Sequence, residues 1–289
     1  MKPALQDLPP LSPLAASLLE LDWQDADAEP RLLRVVESDP ALGARLLATA
    51  NAVGYAAPGV RYQTILSAVR RLGLRRSIHL ATSLLFVGSL GKRLPAAFNR
   101  ALWLHALTLA HAAQELARLK RLPEPNAVYF IGLVHDLGYL AMEYLQPGCL
   151  ADIVADAAGR QKSAYRLVEA EARVFGLAHD AVAARLLEQW GVPADLVAPL
   201  RGHHLPAGMP DSPAAILFGA EMLAGCASVV EALYADRDYP FAAVAIGHAD
   251  LAAAFAQELA LDGDAVAQLA ARIIDQVANL RAAAAAMLA

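Results

Sequence analysis

The chain has 289 residues, of which 57% are hydrophobic, 18% charged and 6% aromatic, with a formal net charge of −5 and a mean hydropathy of +0.38. That length suffices for one large domain or two small ones with substantial cores, and the acidic balance argues against nucleic acid as the main partner. The apolar excess does not make a membrane protein, because no stretch approaches the ~20 uninterrupted apolar residues that span a bilayer. The two most apolar runs, 77–90 and 241–256, are broken by His79 and by His248 and Asp250.

The excess consists mainly of Ala and Leu, which are strong helix formers, and few segments are rich in Val, Ile, Tyr and Thr. This excludes an all-β protein and predicts an all-α one, a multi-helix bundle. The start, Met1 to Asp7, has no basic region followed by an apolar stretch and a small-residue cleavage site. Cys149 and Cys226 lie far apart, with no metal-like spacing. Both features predict a soluble cytoplasmic protein with reduced, buried thiols.

In chain order, Leu14, Leu18, Leu19 and Leu21 after Ser12-Pro13 predict a first helix, and residues 30–37 a second. Asp39-Pro40 reads as an N-cap followed by proline at the first helical position. Leu42, Leu46, Leu47 and Ala50 then recur at helical spacing, so a helix is expected over about 40–53. Helices follow over 64–72, closed by Gly73, and over 77–90, apolar nearly all round. Gly91-Lys92-Arg93-Leu94-Pro95 is the clearest break, and it divides an N-terminal helical subdomain, 1–93, from a second one, 94–289. Further helices are expected over 96–119, 126–135, 163–175, 180–190, 194–203, 214–234, 250–260 and 264–288, joined by connectors at 191–193 and 206–213. Trp23, Trp103 and Trp190 read as core anchors.

His135 and Asp136 stand together in the apolar setting Ile131-Gly132-Leu133-Val134-His135-Asp136-Leu137-Gly138. An ionised carboxylate is costly to bury alone, so this pair needs a metal, a cation or a hydrogen-bond network. Residue types alone leave a metal ligand pair and a metal-free His–Asp hydrogen bond both open. His203-His204 after Gly202 is the second such feature, and imidazoles with carboxylates suit Zn, Fe and Mn when bundle helices project them inward.

In order along the chain, the candidates are His105, His135-Asp136, His179, His203-His204 and Glu221. This order resembles the HD-domain superfamily of metal-dependent phosphohydrolases. More closely, the chain resembles its HDOD branch, found in bacterial signalling. In the N-terminal part the resemblance rests on Leu8-Pro9-Pro10-Leu11, the stretch from Ser38-Asp39-Pro40 to Leu47, Ala50-Asn51 and Ala68-Val69-Arg70-Arg71-Leu72-Gly73. Further on it rests on Trp103-Leu104-His105, Gly132 to Gly138, Phe175 to His179, Trp190-Gly191-Val192-Pro193 and His203-His204.

The resemblance implies His105, His135, Asp136 and a late carboxylate, Glu221, as primary ligands. Asp136 would bridge to a second ion completed by His179, His203 and His204. The superfamily has Asp where Glu221 stands. Tyr139 replaces the lysine that the related HD-GYP phosphodiesterases carry, and no Gly-Tyr-Pro follows His203-His204. HDOD proteins are regarded as having lost catalysis while keeping the scaffold. The resemblance therefore implies a signalling module acting through protein contacts, with a degenerate pocket for one or two divalent ions (Fe, Mn or Zn). The competing reading is an active metal-dependent phosphohydrolase on a nucleotide or phosphodiester, with Asp136 at its centre.

His79, His111 and His248 fall outside this pattern and read as core or surface histidines. His111 is six residues from His105, on a different face of one helix. Arg70, Arg71, Arg75 and Arg76 form a basic cluster that suits a phosphate-bearing ligand or an acidic partner, or else a solvated helix face.

Overall fold

The computed structural model describes residues 7–52, 61–90, 96–158, 165–204, 210–227, 229 and 259–286. Helices α1 (Pro13–Leu19), α2 (Ala28–Ser38), α3 (Pro40–Ala52), α4 (Ile65–Leu72) and α5 (Leu74–Leu90) form the N-terminal part. The rest comprises α6 (Ala96–Leu119), α7 (Pro125–Val134), α8 (Leu137–Leu145), α9 (Cys149–Ala158), α10 (Tyr165–Val174), α11 (His179–Gln189), α12 (Ala194–Val197) with a 3-10 turn at Ala198–Leu200, α13 (Pro213–Cys226) and α14 (Gly263–Ala286). No strand occurs among the described residues, and the all-α expectation holds.

Side-chain caps account for several helix starts, that of Asp39 as expected. Asp39 Oδ1 accepts from the backbone N–H groups of Ala41 (3.0 Å) and Leu42 (3.2 Å), satisfying donors that the first turn of α3 leaves unpaired. Ser12 and Ser212 cap α1 and α13 in the same way, each with proline in the first turn. Thr64 and Ser67 form a reciprocal capping box at α4.

Several helices depart from the sequence expectation, and the one expected over 214–234 ends at Cys226, with Ala227 beyond it in a turn. Helix α5 begins three residues earlier than expected, directly after Gly73. The helix expected over 194–203 lasts only through α12 and one 3-10 turn, because Pro199 lacks an N–H and its ring crowds the preceding turn; His203 and His204 sit in the turn beyond. Helices α8 and α9 were not anticipated. Leu137 to Met142 are all buried, so α8 shows no amphipathic period to read. The predicted junction at 91–95 and residues 250–258 of the helix predicted over 250–260 lie outside the described residues; its last two positions, Leu259 and Ala260, are not helical.

Buried apolar side chains form one continuous core from Leu8 to Ala284. Helix α6 runs through its middle and packs against α7, α13 and α14, while α11 packs on α8 and α14 also reaches α3. Two glycines set the closest approaches. A Cβ on Gly132 would lie 2.7 Å from Ala110 Cα, so α6 and α7 could not touch as they do. A Cβ on Gly138 would lie 1.9 Å from the carbonyl oxygen of His179, so only glycine lets the start of α8 meet the start of α11. Both contacts bring candidate site residues together.

Trp103 and Trp190 are core residues, and the Trp190 indole N–H donates to the carbonyl of Pro9 at 3.2 Å. Trp23, expected in the core, is instead 41% exposed, lying beneath the Arg75 guanidinium at 5.1 Å from the ring centroid. A cation–π partner lets its ring remain at the surface. Cys149 is a buried free thiol, and burial with nearby carboxylates pushes its pKa up to about 12. The side chain of Cys226 and all of His248 lie outside the described residues.

Candidate metal centre

Five helices or turns deliver the cluster. His105 comes from the middle of α6, where its side chain is fully buried. His135 and Asp136 occupy the turn between α7 and α8. His179 is the first residue of α11, His203 and His204 follow the 3-10 turn, and Glu221 projects from α13. All seven sequence candidates of this group therefore meet in one place.

On one side, His105 Nε2 lies 3.2 Å from His135 Nε2 and 3.3 Å from Glu221 Oε1, and His135 Nε2 lies 3.2 Å from the same oxygen. Asp136 stands between the two sides, with Oδ1 3.2 Å from His135 Nε2 and 3.5 Å from His179 Nε2, and Oδ2 3.6 Å from His105 Nε2. On the far side, His179 Nε2 and His204 Nε2 face each other at 3.0 Å, with the His203 ring edge-on to His179. Donor atoms gather within 4.8 Å in three sets: His105, His135 and Asp136; His135, His203 and Glu221; and His179, His203 and His204.

Several buried polar atoms at the centre lack hydrogen bonds. Neither oxygen of Asp136 makes a hydrogen bond, nor does His203 Nε2. Such atoms are expensive in a low-dielectric interior, and a cation among them would satisfy all at once. The backbone supplies the orientation: His135 Nδ1 meets the carbonyl of Gly132 at 2.8 Å, and His203 Nδ1 that of Leu200 at 2.8 Å. Each contact leaves Nε2 directed inward, which is how metal-binding histidines are usually held. The donor set fits a divalent ion of the Zn, Fe or Mn type.

The electrostatics match. Burial works to lower the pKa of His135, but the Asp136 and Glu221 carboxylates outweigh it and hold the imidazole well above its usual range; the same balance raises His105. Burial alone would raise the carboxyl pKa values, yet the surrounding histidines hold Asp136 and Glu221 below theirs. His203 is pushed down to about 4 by burial and by His135 and His179, and His204 falls well below its usual value through burial and its two histidine neighbours.

One further buried carboxylate, absent from the sequence candidates, adjoins the cluster. Glu171 of α10 is fully buried beside His179. Its Oε2 accepts the backbone N–H of His179 at 2.8 Å, both oxygens lie 2.9–3.0 Å from His179 Nδ1, and Oε1 accepts the Tyr139 hydroxyl at 2.9 Å. The sequence offers only a weak signal, a Glu spaced with Leu167 and Ala170 on one helix, eight residues before a histidine.

The arginines are not gathered into one anion site. Arg70 pairs with Glu29 at 3.1 Å and Arg75 with Glu124, while Arg76 is buried, bonded to Gln114 and stacked over Tyr129 at 5.0 Å. Arg71 is exposed.

An all-helical protein with imidazoles and carboxylates drawn from five segments into one buried cluster is thus defined. The HDOD domain family model matches residues 8–206, and the chain belongs to that family. Three solved structures share the fold. A candidate phosphohydrolase from Shewanella amazonensis is 22% identical with a TM-score of 0.74, over 96% of this chain and 95% of that one. An HDOD domain protein of unknown function from Geobacter sulfurreducens is 20% identical with a TM-score of 0.73, over 95% and 92%. A candidate signal transduction protein from Marinobacter aquaeolei is 25% identical with a TM-score of 0.69; the match covers 98% of this chain but 60% of that one. Comparison with curated proteins gives no match. No helix among the described residues is long and apolar enough to cross a membrane.

Proposed function

We propose that the protein is a bacterial, cytoplasmic signalling module that acts through contacts with other signalling proteins, and that its buried cluster holds one or two divalent ions, Fe, Mn or Zn. In this reading the halves 1–93 and 94–289 form one scaffold organised around the ions. The observation that carries it is Asp136, a buried carboxylate with no hydrogen bond, set between two groups of inward-facing imidazoles. His105, His135, Asp136 and Glu221 would hold one ion; Asp136, His179, His203 and His204 would hold the other.

The burial of the cluster favours a regulatory or structural ion over turnover. His105, His135, Asp136, His179 and His203 are all buried; Glu221, at 17% side-chain exposure, and His204 are the members that reach toward solvent. A second reading, a phosphohydrolase on a nucleotide or phosphodiester, is favoured by two donor sets sharing one carboxylate, the arrangement of two-metal hydrolases. Bound ions would there supply Lewis acidity toward a phosphoryl oxygen. Asp136 and the histidines would position them, and Glu221 would face the entering group.

Metal analysis of purified protein, followed by turnover assays with added Mn or Fe, separates the two. The signalling reading expects stoichiometric metal, lost in His135→Ala and Asp136→Ala, with no turnover and with altered partner binding. Metal-dependent hydrolysis abolished by both changes would establish the enzyme instead. A protein that takes up no ion even on reconstitution would sink the metal part of either.

A further inference from the structure

We infer that Glu171 is a positioning residue that sets the affinity of only one of the two ion positions, the one formed by His179, His203 and His204; this rests on the metal reading above. Three donors converge on its carboxylate: the Tyr139 hydroxyl, the backbone N–H of His179 and the ring Nδ1 of His179. A carboxylate accepts and does not donate, so the contact at Nδ1 requires the proton to be there. His179 is thereby held with Nδ1–H toward Glu171 and Nε2 toward Asp136 and His204. Tyr139 adds a second constraint, since its ring stacks on the His179 ring with centroids 4.3 Å apart while its hydroxyl holds the same carboxylate.

Among the described residues, nothing equivalent supports the other position. His105 Nδ1 is buried without a hydrogen bond, and His135 is oriented by a neutral backbone carbonyl. The cluster is therefore asymmetric: one imidazole is backed by a buried charge and the remainder by neutral groups or none. Carboxylate backing raises ligand basicity and fixes ring orientation, and its loss typically weakens metal binding about 10–100-fold.

Glu171→Gln tests this. Glutamine keeps the shape but offers one oxygen to three donors and turns an NH₂ group against at least one of them. Metal-free protein labelled with ¹⁵N-histidine should show His179 as the Nδ1–H tautomer, and this signal should change in Glu171→Gln. Competitive Mn and Zn titrations followed by native mass spectrometry should show one ion weakened about 10–100-fold and the other unchanged. Tyr139→Phe, which removes one donor but keeps the charge, should weaken the same ion by less and serves if Glu171→Gln does not fold. Equal weakening of both ions, unchanged affinities, or a His179 tautomer indifferent to Glu171→Gln would overturn the inference. A wild-type protein that binds no ion but shows the Glu171-dependent tautomer would overturn the metal reading while leaving His179 positioned as described.

Discussion

His105 and His111 lie on the same helix, both buried, six residues apart, yet they are held in opposite states. His105 faces Glu221 and Asp136, whose charges outweigh burial and raise its pKa. His111 faces the region of Arg76, Arg118 and Tyr129; burial first, then the two guanidinium groups, push it down to about 3. His79 nearby is lowered to about 3 in the same way, by burial and Arg75, with its Nδ1 3.1 Å from the carbonyl of Asn126. Helical geometry turns the two α6 side chains to different faces, and the neighbours on each face decide the chemistry. A buried histidine is thus a ligand candidate only where carboxylates share its pocket.

The largest effect should come from removing the carboxylate that the cluster shares. Asp136→Ala leaves His135 buried without its main counter-charge and His105 without one of its two, and breaking such a group typically costs about 3–5 kcal/mol. Urea denaturation of the metal-free protein should show this loss, together with disappearance of bound metal. If instead the variant is as stable as the wild type, the two faces of α6 do not differ as described.

Titration should expose the contrast next. His111 has a folded pKa below its unfolded value, so the unfolded chain binds more protons between about pH 6.5 and 3. Its contribution to stability is therefore present above pH 6.5 and lost as the pH falls, with a slope of up to about 1.4 kcal/mol per unit. A His111→Asn variant should show a correspondingly flatter loss of stability between pH 6.5 and 4 than the wild type. His105, with its pKa raised, has the opposite sign in metal-free protein: its contribution is present below pH 6.5 and lost as pH rises through the folded value.

The smallest effect separates the site from its support. Ser212→Ala removes the cap of α13, which carries Glu221, and should cost about 1 kcal/mol in thermal or denaturant unfolding. It should weaken the ion on the Glu221 side and leave the His179 side unaltered.

The ligand types were legible because His135-Asp136 stands in an apolar stretch and His203-His204 are adjacent. Glu221 was harder to place, since the family match ends at residue 206, before α13 begins. Glu171 was not legible, because a single glutamate in a helix with Arg166, Glu169 and Arg173 looks solvated until α8 and α11 close over it. Trp23 failed in the other direction: an aromatic residue reads as core, but Arg75 accommodates it at the surface.

What the sequence by itself determined is the helical class, the caps that start α1, α3, α4 and α13, and the inventory of candidate ligands, because propensity, capping and residue chemistry act over a few neighbouring positions. Tertiary structure alone decided which histidines share a pocket with carboxylates, which arginines find acids, and that Glu171 stands behind His179. Those outcomes depend on distances between segments far apart in the chain, and the close contacts at Gly132 and Gly138 bring them together.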